Sequence, residues 1–314
     1  MLRRRRDARS RGGLILLYHR LTRPAVDPWG LSVSPERFSE QLSVLRQRAE
    51  SVPLSRLVSS LQAGEPTSGR LVAVTFDDGY ADNLTQAAPL LAEHGVPASV
   101  FVVTGYVGSG RSFWWDRLDY ALLASRDFPG RIDLQLDGYE IHWRPGAGDE
   151  ERRAAHAEAW RVLRTLTPAR RDDAVERIAA ACGVAADDGC RPLSSNELRE
   201  LDRHPSVEIG AHTASHPVLA ELEHEEQRGE ILGGKRDLER MLGHPVQLFS
   251  YPHGQTQDFT PETVELVRDS GFSLACSAVG GLVTGDSDVY RLPRVAIPDW
   301  DGATFDRRLE ELLR

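Results

Sequence analysis

Four short segments carry side chains that suit hydrolytic chemistry. The first is Asp77-Asp78-Gly79. Two adjacent carboxylates at a buried strand end repel unless a cation or a proton separates them. The second is His212-Thr213-Ala214-Ser215-His216, a pair of histidines spaced so that both rings can reach one ion. Gly210 and Pro217 flank it, which favours a loop over a helix. One carboxylate and two imidazoles make a three-ligand divalent site that leaves positions open for water and substrate. Tyr251-Pro252-His253-Gly254 and Leu17-Tyr18-His19 add two more imidazoles. Each segment alone has a plainer reading: Asp-Asp-Gly is a common turn, and a lone histidine can belong to a loop or a core. Trp29, Trp114, Trp115 and Trp300 suit packing, and indole faces beside a polar pocket also suit sugar rings.

The elements that must position these residues are strands. Apolar runs at Leu14–His19, Leu71–Asp77, Ala98–Thr104, Val207–His212, Val246–Tyr251, Phe272–Ala278 and Leu292–Ile297 are mostly continuous, as strands covered on both faces are. Helical patterns lie between them. Ser34-Pro35-Glu36 combines a cap, a proline at the first position and an acid. Others fall near Asp82–His94, Ser195–Arg203, Glu223–Leu242, Thr260–Ser270 and Thr304–Leu313, with Gly243 and Gly271 as helix stops. Seven strands alternating with helices predict an α/β fold, either a parallel sheet closed as a barrel or a doubly wound open sheet. In both, the C-terminal strand ends share one face, so the four segments converge there. Residues 110–192 break the pattern. They hold Phe113-Trp114-Trp115, a hairpin signal around Asp137-Gly138, and two arginine- and alanine-rich helices. They read as an insertion in a connection, because the stretch is polar and shows no core of its own.

Length and charge narrow the function. At 314 residues and 34.8 kDa, the chain suits one large barrel or two modest domains. Hydrophobic residues at 40% and charged residues at 27% exclude a wholly disordered or collagen-like chain. The net charge of 38 − 47 = −9 argues against nucleic-acid binding, which needs clustered cations. One lysine, Lys235, stands among the cations. Six arginines in the first eleven residues mark residues 1–13 as a basic tail. The apolar run after them ends at His19, short of the roughly 7–15 residues of a signal segment and of the about 20 of a membrane span. Cys182, Cys190 and Cys276 form no disulfide or zinc pattern and read as free thiols. These features lead to the expectation of a cytoplasmic protein without an integral membrane segment.

The motifs together resemble the polysaccharide deacetylases, the NodB-homology fold of carbohydrate esterase family 4. Thr75-Phe76-Asp77-Asp78-Gly79-Tyr80 is similar to that family's first motif, and His212 to His216 to its second. Phe249-Ser250-Tyr251-Pro252-His253-Gly254 resembles the third, and Leu17-Tyr18-His19 the Leu-x-His motif. The last comes first here, as in the permuted branch acting on poly-N-acetylglucosamine. The resemblance runs from about Leu14 to Ile297, apart from the insertion, and implies a distorted seven-stranded barrel. It further implies a divalent metal on Asp78, His212 and His216, with zinc first and cobalt or nickel as alternatives. Asp77 would be the general base and His19 the protonated general acid. The backbone N–H at His253 would help hold the oxyanion, and Tyr251, Arg294, Trp114 and Trp115 are the other oxyanion- or substrate-side candidates. Two positions depart from the pattern. Ser250 replaces the arginine that orients the base, and His253 replaces a tyrosine. Arg294 is the candidate replacement cation. The expected reaction is hydrolysis of N-acetyl groups on an N-acetylated glycan. A non-sugar amide hydrolase and a non-catalytic carbohydrate binder are the alternatives, and a carboxylate-pair glycosidase fits adjacent aspartates poorly.

Overall fold

The computed structural model describes residues 12–65, 70–124, 132–136, 139–143, 148–183 and 190–313. The strands are β1 Leu14–Tyr18, β2 Glu50–Ser51, β3 Leu71–Phe76, β4 Ala98–Val102, β5 Ile132–Leu136, β6 Tyr139–Trp143, β7 Val207–Ala211, β8 Leu248–Ser250, β9 Leu274–Cys276 and β10 Val295–Ala296. The helices are α1 Pro35–Arg48, α2 Leu54–Gln62, α3 Ala88–His94, α4 Trp114–Asp119, α5 Asp149–Leu163, α6 Pro168–Ala181, α7 Ser195–Asp202, α8 His224–Leu242, α9 Pro261–Asp269 and α10 Gly302–Leu312. The β1, β3 and β4 residues are buried at every position, because helices cover one face and the opposite wall covers the other.

The main sheet runs β10-β1-β3-β4-β7-β8-β9, every neighbour parallel, with short β2 added beside β3. It curls into a distorted barrel rather than an open doubly wound sheet. The closing element is the stretch from Leu292 to Ile297. Leu292 bridges Cys276 of β9, and three residues later Val295 pairs with Leu16 of β1. A closing strand of two residues explains the distortion: one short segment serves both edges of the gap.

Several expectations change in detail. Ser34 precedes α1, but its hydroxyl donates to Asp299 Oδ1 at 2.9 Å instead of capping the helix. α10 starts at Gly302, since Asp301 accepts from the Thr304 amide at 2.7 Å. α2 was not foreseen; its proline-led start hides an apolar face of Leu54, Leu57, Val58 and Leu61. Gly13 lies outside the tail assigned to it: its amide donates to Val283 O at 2.7 Å. Residues 1–11 and Asp137-Gly138 lie outside the described residues.

The largest correction concerns residues 110–192. β5 and β6 form an antiparallel pair, and α4, α5 and α6 bury a hydrophobic cluster shared with the barrel. Phe113, Trp114, Trp115, Leu118, Leu163, Val175 and Ile178 meet there with Tyr80, Val103 and Tyr106 of the barrel. The cluster is therefore continuous with the barrel's rim. Its helices look polar because alanines such as Ala155, Ala159 and Ala174 make up much of the buried face.

Leu16→Ala, in the fully buried β1, should cost about 2–5 kcal/mol of stability, read as a lower urea midpoint at unchanged slope.

Candidate active site

β3 delivers two carboxylates in different directions. The Asp77 amide still pairs with Tyr18 O at 3.0 Å, so Asp77 remains in strand geometry. Asp78 leaves it with φ 75°, followed by Gly79 with φ 82°. This turn separates the two side chains and answers the repulsion that adjacent acids face.

Asp77 meets a cation. Arg294 Nη1 donates to Asp77 Oδ1 and Nη2 to Oδ2, both at 2.7 Å. Arg294 Nη2 also donates to Ser250 Oγ at 2.8 Å, and Ser250 Oγ donates to Asp77 Oδ2 at 3.2 Å. The Arg294 side chain is fully buried and lies between the Leu292 bridge to β9 and the β10 pairing to β1. Serine at position 250 leaves the space that this guanidinium fills from the residue just before β10.

Asp78 faces imidazoles instead. Its Oδ1 is 3.7 Å from His212 Nε2 and 3.6 Å from His216 Nε2. His212 Nδ1 donates to Ser250 O at 2.7 Å, which fixes its tautomer and leaves Nε2 with a free lone pair toward the carboxylate. Asp78 Oδ1 and His216 Nδ1 are buried atoms without a hydrogen-bond partner. One ligand atom each from Asp78, His212 and His216 lie within 4.8 Å of one another. An orphaned carboxylate oxygen against imidazole nitrogens fits a borderline metal such as zinc.

The loop carrying both histidines is strained and clamped. Thr213 has φ 65° and His216 φ 59°. With Asp78 and His253 (φ 60°), these are the positive-φ non-glycine residues among those described, and all four belong to this site. The Glu230 carboxylate, on α8, accepts from the Ala214 and Ser215 amides at 3.1 and 2.9 Å and from Ser215 Oγ at 2.7 Å. Gly105 and Gly234 back the loop so closely that a β-carbon would lie 2.5 Å from Ala214 O or 2.6 Å from Thr213 C. From α6, buried Arg171 donates to Ser215 O at 2.8 Å, with its guanidinium 5.1 Å from the Trp114 ring centre. Glu230, Arg171 and Trp160 escaped the sequence reading. Their roles depend on packing, and no spacing in the chain announces it.

A cavity of about 360 Å³ opens over these groups, a size ordinary for small-molecule sites. His19, Asp77, Asp78, His212, His216 and His253 line its polar part, and Trp29, Trp114, Trp115 and Trp160 its aromatic wall. Trp115 Nε1 donates to Tyr80 OH at 2.9 Å, and Tyr80 OH to Asp116 Oδ2 at 2.8 Å, so that wall is braced from behind. Arg20, next to His19, also donates to Asp116. The structure does not bring Tyr251 here. Its ring stacks on Phe259 at 4.1 Å and its hydroxyl donates to Tyr290 O at 2.9 Å, because strand alternation after β8 turns it outward. Trp300 lies outside the cavity as well, in the core packing near α10.

Electrostatics follow burial and neighbours. Burial would raise the Asp77 pKa, but the Arg294 charge and hydrogen bonds outweigh it and hold Asp77 at about 2. Burial, with Asp77 and Asp116 nearby, pushes Asp78 well above the usual carboxylate range. Burial lowers His212 and His216, lowers His253 to about 3, and lowers His19 to about 4 even though Asp77 pulls the other way. All four rings are thus neutral at pH 7 and the contacts of His212 and His216 with Asp78 are not ion pairs. This corrects the expectation that His19 rests protonated beside an ionised Asp77. It also strengthens the metal fit, since neutral imidazoles bind metal and a divalent charge would bring Asp78 back to its anion.

Two outcomes follow. Arg294→Gln leaves a buried carboxylate without its cation and should cost about 3–5 kcal/mol in chemical denaturation. The buried histidines bind protons in the unfolded chain below about pH 6.5 but not in the native one. The histidines' contribution to stability is therefore full above that pH and is lost as pH drops from 6.5 toward 4, against the opposite contribution of the raised Asp78; metal-stripped His253→Asn should accordingly show a smaller decline in melting temperature over that range than metal-stripped wild type.

The polysaccharide deacetylase family model matches residues 64–275. YxkH of Bacillus subtilis (strain 168), assigned to the polysaccharide deacetylases, is 20% identical over 300 residues, covering 95% of this chain and 76% of that protein. Among solved structures, the deacetylase PplD of Streptococcus pyogenes, in complex with acetate, superposes with TM-score 0.63 and 16% identity over 96% of this chain and 98% of that one. IcaB of Ammonifex degensii superposes with TM-score 0.62 and 20% identity over 96% and 97%. At these identities the structural likenesses speak for the fold.

Proposed function

This chain belongs to the polysaccharide deacetylase family, hydrolases of carbon–nitrogen bonds other than peptide bonds, and from that premise we propose a metal-dependent removal of N-acetyl groups from amino sugars of a glycan. One observation carries the reading. A carboxylate kept ionised by Arg294 stands next to a second carboxylate that faces two neutral imidazoles, under one aromatic-walled cavity. Poly-N-acetylglucosamine is the proposed substrate class, because Leu17-Tyr18-His19 precedes the other motifs.

Asp78, His212 and His216 would hold the divalent ion, which when bound would polarise the acetamide carbonyl and make water more acidic. Asp77 is the base: ionised at neutral pH and clamped at both oxygens, it would accept the proton of the attacking water without turning away. Its low basicity is the counterpart of that clamp. Water therefore has to be acidified for Asp77 to act, which ties the base to the ion site.

Amide nitrogen is a poor leaving group without a proton. His19 lines the same cavity, beside the cation-bound Asp77, and would deliver that proton. Since burial keeps His19 neutral at rest, the proton it delivers would be the one Asp77 has taken from water, passed to His19 before the C–N bond breaks, so that Asp77 returns to its anion and His19 to its neutral form. His253 would add a donor near the developing oxyanion. The Trp114 and Trp115 rings would seat the apolar acetyl and sugar faces. The products are acetate and a free amine.

Asp77→Asn should retain one divalent ion per chain by elemental analysis, yet lose acetate release from N-acetylglucosamine oligomers by about 10²–10⁴-fold. Retained turnover in that variant would remove Asp77 from the base role.

A further inference from the structure

Trp29 is the one large hydrophobic residue left exposed among those described, with 39% of its surface open. It stands on the segment between β1 and α1, at the mouth of the cavity that holds Asp77 and Asp78. A single exposed indole is ordinary on a protein surface; this one lines the reaction cavity and joins the aromatic wall inside it.

Its placement is fixed rather than loose. The Trp29 ring packs on Trp160 of α5 with centres 4.7 Å apart and planes inclined by 39°. It also packs on His156 at 5.5 Å. His156 is buried and hydrogen-bonded through Nε2 to the buried Asp119 carboxylate. Trp160 in turn meets His253 edge-on at 5.8 Å, and His253 lies 4.6 Å from His216. A continuous aromatic row thus runs from the ligand loop along the cavity wall to solvent. Arg164 covers part of Trp160, its guanidinium 4.7 Å from the ring centre, but is itself paired with Asp258.

We propose that Trp29 and Trp160 form a second sugar subsite, which stacks against a pyranose ring neighbouring the one being deacetylated. The inference rests on the glycan reading above and adds to it which side chains of this chain would read the sugar next to the reacting one. Stacking suits that occupant: the C–H face of a neutral pyranose is apolar and flat, and an indole offers a large rigid surface at low entropic cost. Continuity with the reaction cavity argues against a protein partner, which would need to cover the mouth through which substrate enters. The subsite is composite, one indole from the β1–α1 connection and one from residues 110–192, so the latter segment would contribute directly to substrate choice.

The test compares N-acetylglucosamine with its di-, tri- and tetramer, for wild type, Trp29→Ala and Trp29→Phe. Acetate release is measured with the metal-loaded enzyme, and quenching of tryptophan fluorescence by the tetramer with metal-stripped protein. Wild type should show a lower KM for the tetramer than for the monomer. Trp29→Ala should shrink that gap roughly 3- to 10-fold, and Trp29→Phe should restore most of it. Trp29→Ala should also weaken tetramer binding in the metal-stripped protein. An unchanged length dependence in an active Trp29→Ala enzyme, with unchanged tetramer binding, overturns the subsite. Wild type that binds tetramer through Trp29 yet releases no acetate from any length overturns the deacetylation reading and keeps the subsite.

Discussion

The pairing of Arg294 with Asp77 is the interaction on which the rest of this architecture depends. Two buried charges are costly apart and stable together only with good geometry and satisfied remaining donors. Here both conditions are met: two parallel bonds of 2.7 Å, a third from the guanidinium to Ser250, and a fourth from its Nε to Ser277 O. The pair also sits at the barrel's closure, since Arg294 lies between the residues that join β9 and β1. It also assigns different states to neighbouring acids. Asp77 keeps its charge because Arg294 bonds both its oxygens, and Asp78 is pushed toward neutrality by burial and by Asp77 and Asp116, which outweigh the pull of Arg20 and Arg294. One ion pair thus sits at the closure and differentiates the two carboxylates.

Around this pair the structure spends backbone strain. Left-handed conformations at Asp78, Thr213, His216 and His253 cost on the order of 1–3 kcal/mol each where side chains are β-branched or bulky. At Thr213 and His216 the strain persists because Glu230, Arg171, Gly105 and Gly234 leave the loop no alternative path. Arg171 reaches from α6, so part of the restraint on the histidines originates in the segment that interrupts the strand-helix alternation. That segment contributes to the site as well as to its surroundings.

Much of this was legible in the chain itself. Continuous apolar runs ending in Asp77-Asp78, His212 or Tyr251-Pro252-His253 marked both the strands and the face they share, since parallel strands buried on two sides leave a strong signal. Arg294 could be suspected only through the family resemblance, because Ser250 stands where the resembled motif carries the arginine that orients the base. Other features had no such signal. Tyr251 was drawn into the site by its neighbours, yet a single step in strand alternation turns it to Phe259 and Tyr290. The aromatic and alanine faces of α4, α5 and α6 read as polar, because a buried alanine and a surface alanine look alike in sequence. Protonation of His19 was misjudged for a related reason: burial is a property of the folded surroundings.

The parallel, closed topology has a kinetic consequence. Arg294 and Asp77 are 217 residues apart, and parallel neighbours such as β4 and β7 are also joined across long stretches of chain. Contacts of such high sequence separation are slow to form, because loop closure must precede their reward. During synthesis β1, β3 and β4 are available long before residue 294 leaves the ribosome, so the sheet must wait with an unpaired edge and a bare Asp77. The edge of β1 that β10 later covers is then exposed in the nascent chain, a place for mispairing or chaperone binding. The clamp on the base and the completion of the barrel both depend on the stretch around residue 294, so neither can precede its synthesis.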